Sequence, residues 1–227
     1  MDMSEDEKKA AGYAAADCIQ RDMLVGIGTG STVFYFIKKL AERIKEGLNI
    51  QAICSSEKSL LLAKKHAIPL LDANEVAALD ITVDGADEID CEKRMIKGGG
   101  GALLREKILA SSSREMIVIV DQSKVSEKIG RAKLPVEIVP FCYQATLSKL
   151  KAHGLNGSMR MESNSKFFHT DGGHYIYDIE LQAPLENPAK THSEIITLPG
   201  VIETGLFFHV AGRVIIGKKD GQTEVWQ

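Results

Sequence analysis

The chain of 227 residues is 44% hydrophobic and 26% charged, too apolar for disorder and too charged for a membrane protein. With 28 Lys plus Arg against 31 Asp plus Glu, the net charge of −3 gives no general attraction to nucleic acid or to an anionic membrane surface. At this length a sizeable core can be buried without disulfides or a structural metal.

Cys18, Cys54, Cys91 and Cys142 are scattered, with no C-x-x-C pair and no histidines at zinc-ligand spacing. They are expected to be reduced thiols of a cytoplasmic protein. The opening MDMSEDEKK is polar and acidic where a signal peptide is basic and then apolar. Apolar runs such as Met116 to Val120 fall far short of a membrane span, so neither secretion nor membrane insertion is expected.

In chain order, Ser4 with Glu7 has the form of a capping box before an Ala-rich stretch reaching Ile19, which predicts a helix. Met23 to Gly28 is a short apolar run ending in glycine, after which Val33, Phe36, Ile37, Leu40 and Ile44 recur at helical spacing up to Gly47. The alternation continues with a strand at Ile50 to Ser55, a helix at Glu57 to His66, a strand at Leu79 to Val83, a helix at Ala102 to Ser111 and a strand at Met116 to Val120. This rhythm predicts an α/β fold, a Rossmann-like, mostly parallel sheet with helices on both faces.

Beyond Ser126 the rhythm changes. Lys133 to Val139 reads as a strand, Tyr143 to His153 as a helix ended by Gly154, and Ser158 to Ser163 as an alternating segment. Asp171-Gly172-Gly173 is a hairpin signal between Phe167 to His169 and His174 to Leu181. Asn187-Pro188 has the form of an N-cap and first residue of a helix reaching Leu198. Leu206 to Gly217, with a turn near Ala211-Gly212, is placed to rejoin the first sheet. The expected organisation is therefore an α/β domain of residues 1–127 and 205–227 with a smaller α+β domain, 128–204, inserted.

Three segments carry candidate chemistry. GIGTGST, residues 26–32, sits between a strand and a helix, where unpaired amides and the helix dipole favour an anion and glycines permit close approach. Thr29, Gly30, Ser31 and Thr32 are its candidate ligands. The dinucleotide fingerprint would need glycine at Ser31 or Val33 and the Walker pattern a following Gly-Lys, so both fail. The other reading is a tight turn with Ser31 as N-cap. DGADEID, residues 84–90, follows a strand, so Asp84, Gly85, Ala86 and Asp87 fall at the strand ends where open parallel sheets bind ligands. The segment lacks calcium-loop spacing. Sugar-hydroxyl binding, proton transfer and a plain solvated loop all fit it. KGGGGALLREK, residues 97–107, has four consecutive glycines, which mark an unusual backbone path or close approach to a ligand. The amides of Gly98, Gly99 and Gly100 can form an oxyanion nest, with Lys97 before it and Glu106 one turn into the next helix. Glu106 is then either a general base or an exposed first-turn carboxylate placed by the dipole.

Taken in this order and spacing, the three segments resemble the type A ribose-5-phosphate isomerases. DQSK at 121–124, LPVEIVPF at 134–141, TDGG at 170–173 and PGVIETGLF at 199–207 extend the resemblance over almost the whole chain. TDGGH at 170–174 departs from the family's more usual TDNGN. The resemblance implies an aldose–ketose isomerase that interconverts D-ribose 5-phosphate and D-ribulose 5-phosphate through an enediolate, with no metal and no organic cofactor. It implies Glu106 as general base and Asp84, Asp87 and Lys97 as catalytic partners at the sugar oxygens. Thr29 to Thr32 and Lys124 become phosphate or substrate contacts, and Gly85, Ala86 and Gly98 to Gly100 line the pocket. It also implies a homodimer or homotetramer. A non-enzymatic sugar-phosphate sensor domain is the alternative, although the main α/β pattern begins too early to leave room for a DNA-binding helix-turn-helix before it. A nicotinamide-dependent oxidoreductase fits less well, because its glycine fingerprint fails.

Overall fold

The computed structural model describes residues 3–163 and 165–227. These form two packed units, one running to Ala86 and resuming over Arg105–Val125 and Val210–Gln227, the other comprising Asp87–Leu104 and Ser126–His209.

The first unit opens with helix α1 (Met3–Asp17), whose first turn carries Glu5 and Asp6 as the helix dipole favours. Ser4 falls inside this helix. The element series continues with β1 (Leu24–Ile27), α2 (Ser31–Lys45), β2 (Gln51–Cys54), α3 (Glu57–Lys65) and β3 (Leu79–Asp84). The second unit supplies β4 (Glu88–Ile89) and β5 (Met95–Ile96), and the chain then passes into α4 (Leu103–Ser111) and β6 (Ser113–Asp121).

Strands β1, β2, β3 and β6 all pair in parallel. Two strands from the end of the chain complete the sheet: β12 (Ala211–Gly217), parallel to β6, and β13 (Thr223–Trp226), antiparallel to β12. The order is β13-β12-β6-β3-β1-β2. Continuous apolar runs such as Met116 to Val120, all buried, are what a sheet covered on both faces requires. On α2 the predicted stripe is buried at Val33, Phe36, Ile37 and Leu40, together with Ala41, and only partly at Ile44; it joins Ala11, Ala15 and Ile19 in one core. Each large side chain so buried contributes about 1.5–3 kcal/mol.

The second unit adds β7 (Leu134–Ile138), α5 (Tyr143–Ala152), β8 (Gly157–Met159), β9 (Tyr175–Ile179), α6 (Pro188–Ile196), β10 (Val201–Thr204) and β11 (Leu206–Phe207). Its four-stranded antiparallel sheet has the order β10-β7-β9-β8, and a separate three-stranded sheet has the order β11-β5-β4. Asn187 caps α6 by accepting the Lys190 N–H at 3.0 Å, with Pro188 at the first helical position. The hairpin around Asp171-Gly172-Gly173 is paired more briefly than its composition suggests: beside it, His169 and Tyr175 form an isolated bridge.

The sequence pattern puts residues 87–104 with the first domain, whereas the structure packs them in the second unit. The reason is pairing: Met95 and Ile96 hydrogen-bond along β11, and the Glu88 carboxylate accepts the N–H groups of Gly130, Arg131 and Ala132. Likewise the stretch from Leu206 to Gly217 is not one β segment. It divides into β11 in the second unit and β12 in the six-stranded sheet. The turn expected near Ala211-Gly212 falls earlier, at residues 208–210, and Ala211 and Gly212 begin a strand.

Candidate active site

In the first unit the candidate residues gather at the C-terminal ends of the parallel strands. Beyond β1 the chain runs through Gly28 and Thr29 into α2, with Gly30 as N-cap; no side chain caps the helix. The N-cap is therefore Gly30 and not Ser31, which begins the helix. With no capping side chain, the first-turn N–H groups point to where an anion would sit. Ser31 is exposed and Thr32 is buried at 8% exposure.

Beyond β3 the Asp84 carboxylate is 0% exposed. Its Oδ1 accepts the Thr29 N–H at 3.0 Å and the Gly85 N–H at 2.7 Å, charge-assisted bonds of the stronger kind. A methyl group at Gly28 would collide with this carboxylate, so the close approach of the two loops requires glycine. The GIGTGST and DGADEID segments, read apart in the sequence, are thus fastened to each other.

Behind the loop, Ser55, Ser56 and Ser59 are buried, and all three hydroxyls surround Thr29 Oγ1 at 2.9, 2.7 and 3.2 Å. No motif pointed to them; the only trace in the sequence is three serines within five residues at a strand-to-helix turn. Beyond β6, Asp121 accepts the Ser123 N–H at 3.0 Å and so starts the short 3-10 turn Gln122–Lys124 that ends on Lys124. The Glu7 carboxylate of α1 accepts the Gln122 N–H at 3.3 Å. Glu106 lies in the first turn of α4 at 3% exposure, so the reading of an exposed first-turn carboxylate does not hold. Its Oε2 and the Oδ2 of Asp84 are shielded from water.

In the second unit Asp87 Oδ2 accepts the Gly99 N–H at 2.7 Å, which ties the end of DGAD to the glycine run. Lys97 is 2% exposed; its N–H donates to the Gly205 carbonyl at 2.8 Å and its Nζ lies 5.5 Å from the Phe207 ring centroid. Gly98 has φ of 103°, and a Cβ there would press on Leu103, so the run folds back in a path only glycine takes easily. Arg160, which sequence reasoning passed over, braces this path. Its Nη1 donates to the Gly98 and Gly99 carbonyls at 2.8 and 3.1 Å while two further nitrogens grip Asp178. Gly99 and Gly100 remain exposed.

Among the described residues, no group of three or more His, Cys, Asp or Glu is arranged to hold a metal ion. A cavity of about 710 Å³ in the first unit is lined by Cys54, Glu57, Ile108 and others, with none of the candidate residues among them. Burial, followed by the charge of Glu57, pushes the Cys54 thiol up to about 12, so it is protonated at neutral pH and is no nucleophile. The four cysteines are free thiols. No described helix is long and apolar enough to cross a membrane.

A parallel sheet with an open helix N-terminus and the buried Asp84 carboxylate at its strand ends is the arrangement of an α/β enzyme for a small anionic substrate. The family model for ribose 5-phosphate isomerase A (phosphoriboisomerase A) matches residues 51–221, and the chain belongs to that family. It is 48% identical to the ribose-5-phosphate isomerase A of Protochlamydia amoebophila, covering 96% of this chain and 94% of the relative, and 45% identical to that of Bacillus mycoides, covering 96% and 98%. Among solved structures, ribose 5-phosphate isomerase A of Methanocaldococcus jannaschii superposes with a TM-score of 0.92 at 32% identity over 99% of both chains. The Plasmodium falciparum enzyme does so with 0.91 at 36% identity over 97% of both. The chain is an aldose–ketose isomerase of the pentose phosphate pathway, interconverting D-ribose 5-phosphate and D-ribulose 5-phosphate. The sensor-domain alternative is not favoured.

Proposed function

We propose that Glu106 is the general base of this isomerisation, taking the proton from C2 of the open-chain aldose and returning it at C1 through an enediolate. Asp84, Asp87 and Lys97 contact the sugar oxygens and assist ring opening and the exchange of a proton between O1 and O2. The amides of Gly98, Gly99 and Gly100 are the donors for the developing oxyanion, and Gly85 and Ala86 are further substrate contacts. The Thr29–Thr32 segment holds the phosphate at the start of α2, with Lys124 as a further substrate contact. The reaction asks for this division of labour: one mobile base, donors where negative charge appears on oxygen, and an anchor remote from the bond changes.

The observation that carries the reading is Glu106, a carboxylate buried to 3% exposure in the first turn of the helix that the glycine run leads into. A further support comes from a solved isomerase 36% identical to this chain, with a TM-score of 0.92, in complex with phospho-erythronic acid. Such a ligand is anionic at both ends, and this chain offers donors suited to both: helix-terminal amides for a phosphate, and Lys97 with the glycine amides for a charged oxygen. The test is Glu106→Gln, which is isosteric and lacks only the base. Turnover of ribose 5-phosphate is expected to fall about 10²–10⁴-fold with substrate affinity retained; turnover near the wild-type rate contradicts the assignment.

The pathway and the free thiols support a cytoplasmic enzyme, and membership of the family supports a homodimer or homotetramer. Light scattering on the purified protein distinguishes these from a monomer.

A further inference from the structure

We propose that Thr29 is a positioning residue and not a phosphate ligand: its hydroxyl is one link in a one-way chain of hydrogen bonds that fixes the Gly28–Gly30 backbone. Through its amide it also holds the Asp84 carboxylate. This rests on the isomerase reading of the site and divides the phosphate loop into residues that bind and one that holds.

The direction of the chain follows from counting protons, since each hydroxyl has one to donate. Ser59 Oγ lies 2.5 Å from the Gly28 carbonyl oxygen, which can only accept, so the Ser59 proton is committed there. The 3.0 Å contact between Ser56 and Ser59 is then donated by Ser56, whose oxygen also accepts the Ser59 N–H at 3.1 Å as the cap of α3. With that proton used, the 2.7 Å contact between Thr29 and Ser56 runs from Thr29. The 2.9 Å contact between Ser55 and Thr29 must accordingly run from Ser55. The order is Ser55 to Thr29 to Ser56 to Ser59 to the Gly28 carbonyl, and the longest contact of the group, Thr29 to Ser59 at 3.2 Å, is the one left without a proton. Ser55, Ser56 and Ser59 are 1%, 5% and 5% exposed, which leaves water little part in rearranging it.

Thr29 is left with nothing to donate to a phosphate. Its hydroxyl proton goes to Ser56 and its N–H to Asp84 Oδ1. The rest of its hydroxyl oxygen is already enclosed by Ser55 and Ser59. The donors that remain in the loop belong to Ser31, Thr32 and the open first turn of α2. The neighbours Gly28 and Asp84 occupy the consecutive strand ends of β1 and β3, so a loosened Thr29 would shift the phosphate anchor and a catalytic carboxylate together. A displacement of this kind costs turnover steeply.

The test compares Thr29→Val, Thr29→Ser, Ser59→Ala and Thr32→Ala, with kcat for ribose 5-phosphate and the dissociation constant of inorganic phosphate, by calorimetry, as separate readouts. Thr29→Val is expected to lower kcat about tenfold or more while phosphate affinity stays within about twofold. Thr29→Ser restores kcat, Ser59→Ala reproduces the kcat loss from outside the loop, and Thr32→Ala weakens phosphate about tenfold. Phosphate binding weakened by Thr29→Val as much as by Thr32→Ala overturns the proposal, and so does an unchanged kcat in Thr29→Val and Ser59→Ala. Failure of the isomerase reading itself is seen separately, as a wild-type protein that makes no ketose.

Discussion

Glu88→Gln is expected to destabilise the second unit by about 2–4 kcal/mol at pH 7. The Glu88 side chain is 0% exposed. Its Oε2 accepts the N–H groups of Gly130, Arg131 and Ala132, each at 2.9 Å, and the Ser126 hydroxyl adds a fourth donor. Burial alone pushes such a carboxyl up. The Ala132 amide, the Ser126 hydroxyl and the Gly130 and Arg131 amides together outweigh burial, so its pKa lies below the ordinary 4.5. A hydrogen bond to a charged acceptor contributes about 1.5–3 kcal/mol. Glutamine keeps the shape but turns an NH₂ toward amide N–H groups, so one to two of those bonds are lost. Urea unfolding at pH 7 and at pH 3 measures the effect. Because the folded-state pKa is the lower one, the ionised carboxylate contributes fully above the unfolded value and its contribution fades as pH falls through the folded value. The wild-type advantage over Glu88→Gln should therefore be large at pH 7 and shrink at pH 3. An advantage below about 1 kcal/mol at pH 7, or one equal at both pH values, refutes the reasoning.

Three further outcomes are expected. Gly28→Ala should lower kcat/KM by about 10²-fold or more, because its Cβ would displace the Asp84 carboxylate; steady-state kinetics on a variant with a normal thermal melt checks this. Thr32→Ala and Lys124→Ala should act mainly on KM for ribose 5-phosphate, and an unchanged KM in both would remove them from the phosphate site. Activity should survive exhaustive treatment with a chelator, since the proposed steps use only side chains and amides; a loss reversed by magnesium or zinc contradicts them.

The parts of the fold legible in the sequence were those written locally. The stripe from Val33 to Leu40 repeats at helical spacing, and Met116 to Val120 is a solid apolar run, so α2 and β6 declare themselves. Strands β4 and β5 have two residues each, too few to show a period. They exist because β5 pairs with β11, more than a hundred residues further on, a partner that local pattern cannot supply. The same long-range pairing draws residues 87–104 into the second unit. At the site, glycine runs and acid clusters stand out because they are costly and rare, which is why the segments at 26–32, 84–90 and 97–107 could be singled out. Ser55, Ser56, Ser59 and Arg160 are common residues whose roles come from what folding places beside them. Burial decides Glu106 as well: the sequence shows a first-turn carboxylate, and only packing takes it out of water.

Proton transfer through Glu106 is the step on which the proposed isomerisation of ribose 5-phosphate rests. Purified wild-type and Glu106→Gln proteins incubated with D-ribose 5-phosphate in deuterium oxide, followed by NMR, test it most directly. Wild type should give ribulose 5-phosphate carrying solvent deuterium at C1, while Glu106→Gln, still binding the sugar phosphate, gives neither ketose nor exchange on the same timescale. Ketose formed by Glu106→Gln at the wild-type rate, or no ketose from the wild type, would contradict the account.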